Sequence, residues 1–224
     1  KHPFFLYFAT HDNHVPRVPH PRFIGSSSLG SRGDAIMEFD WGVKQIVASL
    51  KENELTENTI VILSSDNGPI LFDGYWDGAV ERNGDHKPSG PWFGGKYSTW
   101  EGGTRMPFIV SWPGRIKPGI SEALVSQVDL FASIAALLGK PMPKGAGEDS
   151  QNLLSALLGE SPLGRDYLIE EGSGKLAVRQ GNWKYIPEGQ VRDARRIDRN
   201  INTTIPKGGS LFYLAEDPQE RNDL

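Results

Sequence analysis

Two polar runs in this sequence follow apolar segments, and both carry residues able to do chemistry: His11-Asp12-Asn13-His14 after residues 4–9, and Ser64-Ser65-Asp66-Asn67-Gly68-Pro69 after residues 59–63. An Asp66 carboxylate beside the Asn67 amide oxygen offers two hard donors from one tight turn, which suits a divalent cation such as calcium. Asp and Asn before Gly are also common turn formers, and a plain turn is the ordinary reading of these three residues alone. His14 lies between an apolar segment and Pro16, where an imidazole could bind or protonate a reacting oxygen, or could simply pack or face solvent. Lys96 follows Gly94 and Gly95, whose lack of side chains lets backbone approach an anion that a compact ammonium could hold; a surface lysine is the bland alternative. Asp85, His86 and Lys87 share a long loop with Trp76, Trp92 and Trp100. They could form a cleft wall that stacks on a sugar or aryl ring, or could pin the loop down.

The elements that would position these residues read as α/β. Residues 4–9 (Phe-Phe-Leu-Tyr-Phe-Ala) are continuously apolar, the pattern of a strand buried on both faces of a parallel sheet. Ile36, Phe39, Val43, Ile46, Val47 and Leu50 recur at helical spacing, which predicts an amphipathic helix over 34–50. Residues 59–63 give a second strand, so that strand, helix and strand make a βαβ unit, and both polar runs fall at the carboxyl edge of the sheet, where ligands bind in such folds. Residues 107–112 read as a third strand. Residues 127–138 read as a helix stopped by Gly139 and Pro141, and 152–158 as a shorter one. After Pro162 short strands alternate with Gly and Asn turns (166–171, 176–179, 183–186, 211–214), and Gln180-Gly181-Asn182 reads as a hairpin turn. The expected division is an α/β part over 1–160 and a small antiparallel sheet subdomain over 161–224.

At 224 residues and 38% hydrophobic the chain can bury a core. Its net charge of −4 comes from interspersed acids and bases, against a nucleic-acid partner. There is no cysteine, which excludes disulfides, thiolate metal sites and a cysteine-derived nucleophile within these residues. No charged leader with an apolar run and no membrane span is seen, and the abrupt start at Lys1-His2-Pro3 reads as mid-protein. Asn202-Thr203-Thr204 matches a glycosylation acceptor pattern that has a high chance rate.

Taken together, the motifs resemble the sulfatase family of the alkaline phosphatase superfamily, over almost the whole chain. The segment ending His14-Val15-Pro16 is similar to one that supplies a substrate-binding histidine, and Ser65-Asp66-Asn67-Gly68-Pro69 to the metal-binding turn. Gly94-Gly95-Lys96-Tyr97-Ser98-Thr99-Trp100-Glu101-Gly102-Gly103-Thr104-Arg105-Met106-Pro107 resembles the family's Gly-Lys…Glu-Gly-Gly-x-Arg-x-Pro block. Residues 177–184 and 211–224 are similar to the family's C-terminal sheet. The resemblance implies a partial alkaline-phosphatase-like sheet flanked by helices, calcium held by Asp66 and Asn67, a sulfate oxygen held by Lys96, and His14 as sulfate ligand or proton donor. It implies His86, Lys87, Trp76 and Trp92 as substrate-binding residues, with a sulfated small molecule or glycan as partner.

The family's Cys-x-Pro-Ser-Arg segment, paired aspartates and second lysine-histidine block have no counterpart here. The resulting expectation is a C-terminal remnant that is inactive alone, its formylglycine supplied by an absent N-terminal half. The missing cysteines suggest a bacterial periplasmic or exported parent, and an uncovered apolar face invites a homodimer. The rival readings are a phosphodiesterase or phosphonate hydrolase of the same superfamily and a non-catalytic carbohydrate-binding module.

Overall fold

The computed structural model describes residues 2–190 and 204–224. Asn202 and the glycosylation pattern built on it lie outside them. The chain divides into two compact units, Lys1–Leu55 with Ile70–Lys87, and Thr56–Pro69 with Pro88–Leu224.

The first unit is organised by helix α1 (Gly30–Glu52), which matches and extends the helix read from the apolar spacing. Its start is held by Asp34, whose carboxylate accepts from the backbone of Gly25 (2.9 Å) and Ser27 (2.8 Å). The expected buried strand over 4–9 is corrected. These residues form no strand among the described ones, and Phe5 and Tyr7 are 77% and 83% exposed. An apolar run records a tendency to be covered; a strand also requires a partner to complete its hydrogen bonds, and none of the described strands pairs with it.

In the second unit, β1 (Val61–Ser64) pairs antiparallel with β2 (Phe108–Ser111), Val61 opposite Ser111 and Ser64 opposite Phe108. The expected βαβ unit of 4–9, 34–50 and 59–63 is corrected through the loss of its first strand, and the strand that does form, β1, pairs antiparallel. Between these strands lies the short helix α2 (Glu101–Thr104). Helix α3 (Asp129–Leu137) stops before Gly139, which takes the left-handed φ of +62° that a helix end favours, and α4 (Leu154–Leu157) follows. The C-terminal antiparallel sheet is present as expected: β3 (Leu168–Gly172), β4 (Lys175–Gln180), β5 (Trp183–Ile186) and β8 (Ser210–Tyr213) in that spatial order. Strands β4 and β5 turn through Gly181-Asn182, with Gln180 opposite Trp183. A separate two-stranded ribbon joins β6 (Gly189–Gln190) to β7 (Thr204–Ile205). A mixed α/β fold with a helix-flanked sheet and a small antiparallel sheet is thus what the chain adopts.

The core of this unit joins loop to sheet. Trp100 packs with Ala177, Ile186, Ile205, Phe212 and Leu214, and Phe93 meets its ring edge-on at 4.9 Å.

Candidate active site

The Asp66–Asn67 turn leaves β1 and docks on backbone. Gly68 N–H donates to Gly103 O (3.0 Å), and Lys96 N–H donates to Pro69 O (3.0 Å). A Cβ at Gly68 would lie 2.0 Å from Gly102 O, one at Gly102 2.5 Å from Gly94 O, and one at Gly103 2.2 Å from Ser98 O. Three glycines therefore let three backbone segments touch at distances no side chain permits. The structure ties the Asp66–Asn67 turn to the Lys96 loop by backbone hydrogen bonds.

Behind the turn, Gln127 Nε2 donates to Ser64 Oγ (3.0 Å) and to Ser65 O, and Ser64 Oγ donates to Pro107 O (2.9 Å). Asp66 is exposed. Asn67 Nδ2 donates to Gly68 O (3.0 Å), a bond that does not use its acceptor Oδ1. A carboxylate and an amide oxygen fit a hard cation, supplying two of the about six to eight oxygens that calcium takes. Among the described residues no group of three or more His, Cys, Asp or Glu gathers as a ready metal cluster.

The Lys96 loop is tightly wound. Ser98 Oγ donates to Gly95 O (2.7 Å), and Ser98 N–H donates to the same oxygen (3.1 Å). Tyr97 takes φ +76°, a strained conformation for a bulky residue and one that concentrates at functional sites. The Lys96 ammonium lies 5.1 Å from the Tyr97 ring centroid. Trp92, half-buried, stacks under the Arg105 guanidinium at 4.1 Å.

The other expected residues belong to the first unit. His14 is exposed; its Nδ1 lies 2.8 Å from Val15 O, which as an acceptor fixes the proton on Nδ1 and makes Nε2 the basic nitrogen of the neutral ring. Its loop is pinned by buried Arg17, which donates to Asn13 O (3.1 Å), Ile70 O (2.7 Å) and Asp77 Oδ2 (2.7 Å). Arg17 thereby joins the His14 loop to the segment carrying Trp76. Trp76 is 64% exposed and tilted against Phe72 at 4.5 Å. His86 and Lys87 are exposed; partial desolvation and the charge of Arg32 lower the His86 pKa. A groove in this unit is lined by Phe8, Phe39, Trp41 and Ile46 together with His11 and Asp12 of the polar run that ends at His14.

Sequence reasoning missed a buried charge network in the second unit. Lys184, fully buried in β5, places Nζ 2.7 Å from Glu170, 2.9 Å from Glu101 and 3.5 Å from Glu220. Glu101, also fully buried, takes Arg179 Nη1 at 2.8 Å and Arg105 Nη1 at 3.3 Å on its other oxygen, and its N–H donates to Glu220 Oε2 (2.8 Å). Burial acts to raise the Glu101 pKa, but Lys184, Arg179 and Arg105 outweigh it and hold the carboxyl below its usual range. Burial would lower Lys184, yet the three carboxylates raise it. Among the described residues Lys184 is the counter-charge of Glu220, and burial pushes this carboxyl up to about 7. The one signal in the sequence was the Glu-Gly-Gly-x-Arg block itself, which named Glu101 without giving it a partner.

The family model described as Sulfatase matches residues 1–140. An N-acetylgalactosamine-6-O-sulfatase of Bacteroides thetaiotaomicron is 48% identical over 225 residues, covering 99% of this chain and 43% of that protein. Human Arylsulfatase A is 33% identical over 234 residues, covering 99% of this chain and 44% of its own length. A solved structure from work on the metabolism of multiple glycosaminoglycans by Bacteroides thetaiotaomicron superposes with TM-score 0.88 at 48% identity, over 99% of this chain and 46% of that one. The PsFucS1 sulfatase from Pseudoalteromonas sp. gives 0.77 at 29% identity, over 94% and 42%. The chain thus spans about 43 to 44% of the length of these curated relatives.

These matches correct the expectation of a remnant that is inactive alone and takes its formylglycine from an absent half. The family model begins at residue 1 and the relatives align along 99% of the chain, so its own residues are sulfatase-like nearly throughout. Neither inactivity nor an outside source of the formylglycine follows from its extent. No helix among the described residues is long and apolar enough to cross a membrane.

Proposed function

Because this chain belongs to the sulfatase family, we propose that it serves in the hydrolysis of sulfate esters, with a sulfated carbohydrate as the substrate class. The observation that carries the reading is the docking of the Asp66–Asn67 turn on the Lys96 loop through Gly68 N–H to Gly103 O and Lys96 N–H to Pro69 O. Asp66 and Asn67 would hold a hard divalent cation such as calcium, which when bound would supply positive charge to a sulfuryl oxygen. Lys96 adds a second positive charge for sulfate, and the charge that builds on the oxygens in the transition state is what such groups stabilise. His14, protonated at Nε2, gives its proton to the leaving oxygen or holds the sulfate. Trp76 and Trp92 offer ring faces to a sugar, and His86 and Lys87 offer donors to its polar groups.

The 48% identity to a protein named N-acetylgalactosamine-6-O-sulfatase supports a 6-O-sulfated amino sugar as the first substrate to try. We assign catalysis to residues 1–160 and support to 161–224, a division of role and not of packing, since Trp100 lies in the same core as Phe212. Export from a bacterial cell and self-association through the uncovered apolar face belong to the same proposal.

The test is sulfate release by the full-length protein, followed by ion chromatography, from N-acetylgalactosamine-6-sulfate, its 4-sulfate isomer and 4-nitrocatechol sulfate. Release that requires calcium and is lost in Asp66→Ala supports the assignment. A calcium-loaded, folded protein that releases no sulfate from any of them overturns it. Sedimentation equilibrium at several concentrations reads the dimer.

A further inference from the structure

The buried charges and the proposed metal turn meet on the same short stretch of backbone. Glu101 begins α2. The next two residues, Gly102 and Gly103, form the surface against which Gly68 packs. Gly102 N–H also donates to Phe93 O (2.6 Å), and Gly103 lies against Gly95 and Ser98, so the same two glycines set the Lys96 loop. None of these glycines has a side chain to fix its place. What fixes it is the residue before them.

Glu101 is gripped on three sides by Lys184 and Arg179 from the C-terminal sheet and by Arg105. Glu170 on β3 closes the arrangement, accepting from Lys184 and from Thr104 Oγ1 (3.1 Å), which belongs to α2 itself. The end of β3 touches the same loop, since a Cβ at Gly172 would lie 2.7 Å from the Ser98 carbonyl carbon. A lysine with three carboxylates around a buried ammonium has one low-energy arrangement, because each alternative leaves a buried charge unpaired.

We infer that Glu101, locked by Lys184 and Arg179, is a positioning residue for the Asp66–Asn67 turn and for Lys96, so that the C-terminal sheet is a working part of the site. The inference rests on the roles proposed above for Asp66, Asn67 and Lys96. Its physical content is that the network sets backbone position at Gly102 and Gly103 to within a fraction of an ångström. A shift of about 1 Å at reacting groups costs on the order of 10²-fold in rate.

The test uses the full-length protein and compares Glu101→Gln, which keeps shape and removes charge, with Ile186→Val, which trims the core beside the network and leaves every charge in place. Thermal unfolding establishes that each variant is folded. The readouts are calcium affinity by calorimetric titration with calcium alone, and the separate kcat and KM for sulfate release. Glu101→Gln is expected to weaken calcium binding about tenfold and to lower kcat by about 10²-fold with KM little changed, while Ile186→Val leaves all three as in the parent. If Glu101→Gln does not fold, Arg179→Met, at a side chain less deeply buried than Glu101, carries the same comparison.

A folded Glu101→Gln with parental calcium affinity and kcat overturns the inference, as does an equal loss in Ile186→Val. If the parent binds calcium, loses it in Asp66→Ala and keeps it in Glu101→Gln, the positioning role alone fails. If the parent neither binds calcium nor releases sulfate, the functional proposal fails and this inference falls with it.

Discussion

Lys96 projects from a loop whose following residue holds a conformation that a tyrosine adopts only when its surroundings compel it. Its ammonium lies against the Tyr97 ring, and its backbone is tied to Pro69, so both ends of the residue are placed before any substrate arrives. Lys96→Ala is expected to lower kcat/KM for sulfate release by about 10²- to 10³-fold, the usual cost of one transition-state donor, with calcium affinity intact. The contrast with Asp66→Ala, which removes calcium binding, separates the two roles in one calorimeter. Gly68 makes a different kind of prediction. Gly68→Ala places a methyl 2.0 Å from Gly102 O, backbone that cannot swing aside, and should destabilise the protein by about 1–3 kcal/mol in chemical denaturation while weakening calcium binding.

At the scale of elements, β5 inverts what its sequence suggests. In Trp183-Lys184-Tyr185-Ile186 an alternating strand would bury the aromatics and expose the lysine, yet Lys184 is fully buried while Trp183 and Tyr185 are 46% and 40% exposed. Ile186 shares the inner face with Lys184, and three glutamates from α2, β3 and the C-terminal segment decide the register. Existence of the strand was legible; its facing was not, because the partners that make a buried lysine tolerable lie up to 83 residues away in sequence. The run 4–9 fails in the opposite direction: its composition announced a strand, and composition carries no information about a pairing partner. The Asp66–Asn67 turn and the Lys96 block were legible because their side-chain chemistry and glycines are local. Gln127 and Arg17, which hold the site's loops by long-range bonds to backbone carbonyls, left no local trace.

The same network predicts a pH dependence. Glu220 is pushed up to about 7 from 4.5 by burial, despite Lys184 and the Glu101 N–H. A carboxyl whose folded pKa is raised binds more protons folded than unfolded between these values, so its contribution to stability falls as pH rises from about 4.5 to about 7. Glu101 opposes it: with its folded pKa lowered, it contributes stability above its unfolded value that is lost on acidification. Among the described residues, Lys184, Glu170, Arg179 and Arg105 are the other charges facing these two. Glu220→Gln is expected to flatten the decline between those pH values in denaturant titrations; an unchanged profile would place the proton elsewhere.

For the molecule as a whole, a cation that binds only the folded protein must stabilise it. Free calcium at about 100 times its dissociation constant should add about 2.7 kcal/mol, raising the melting temperature of the parent and not that of Asp66→Ala. The alignment to the Bacteroides thetaiotaomicron relative covers 99% of the chain.

The glycine-lined seam has a consequence on a slower clock. The amides of Gly68, Lys96, Gly102 and Gly103 all donate to backbone carbonyls within segments that contain almost no regular secondary structure. In deuterated water such a stretch would ordinarily exchange within seconds. Here the seam should keep its protons as long as the strands do, so that a loop by shape behaves as core by lifetime.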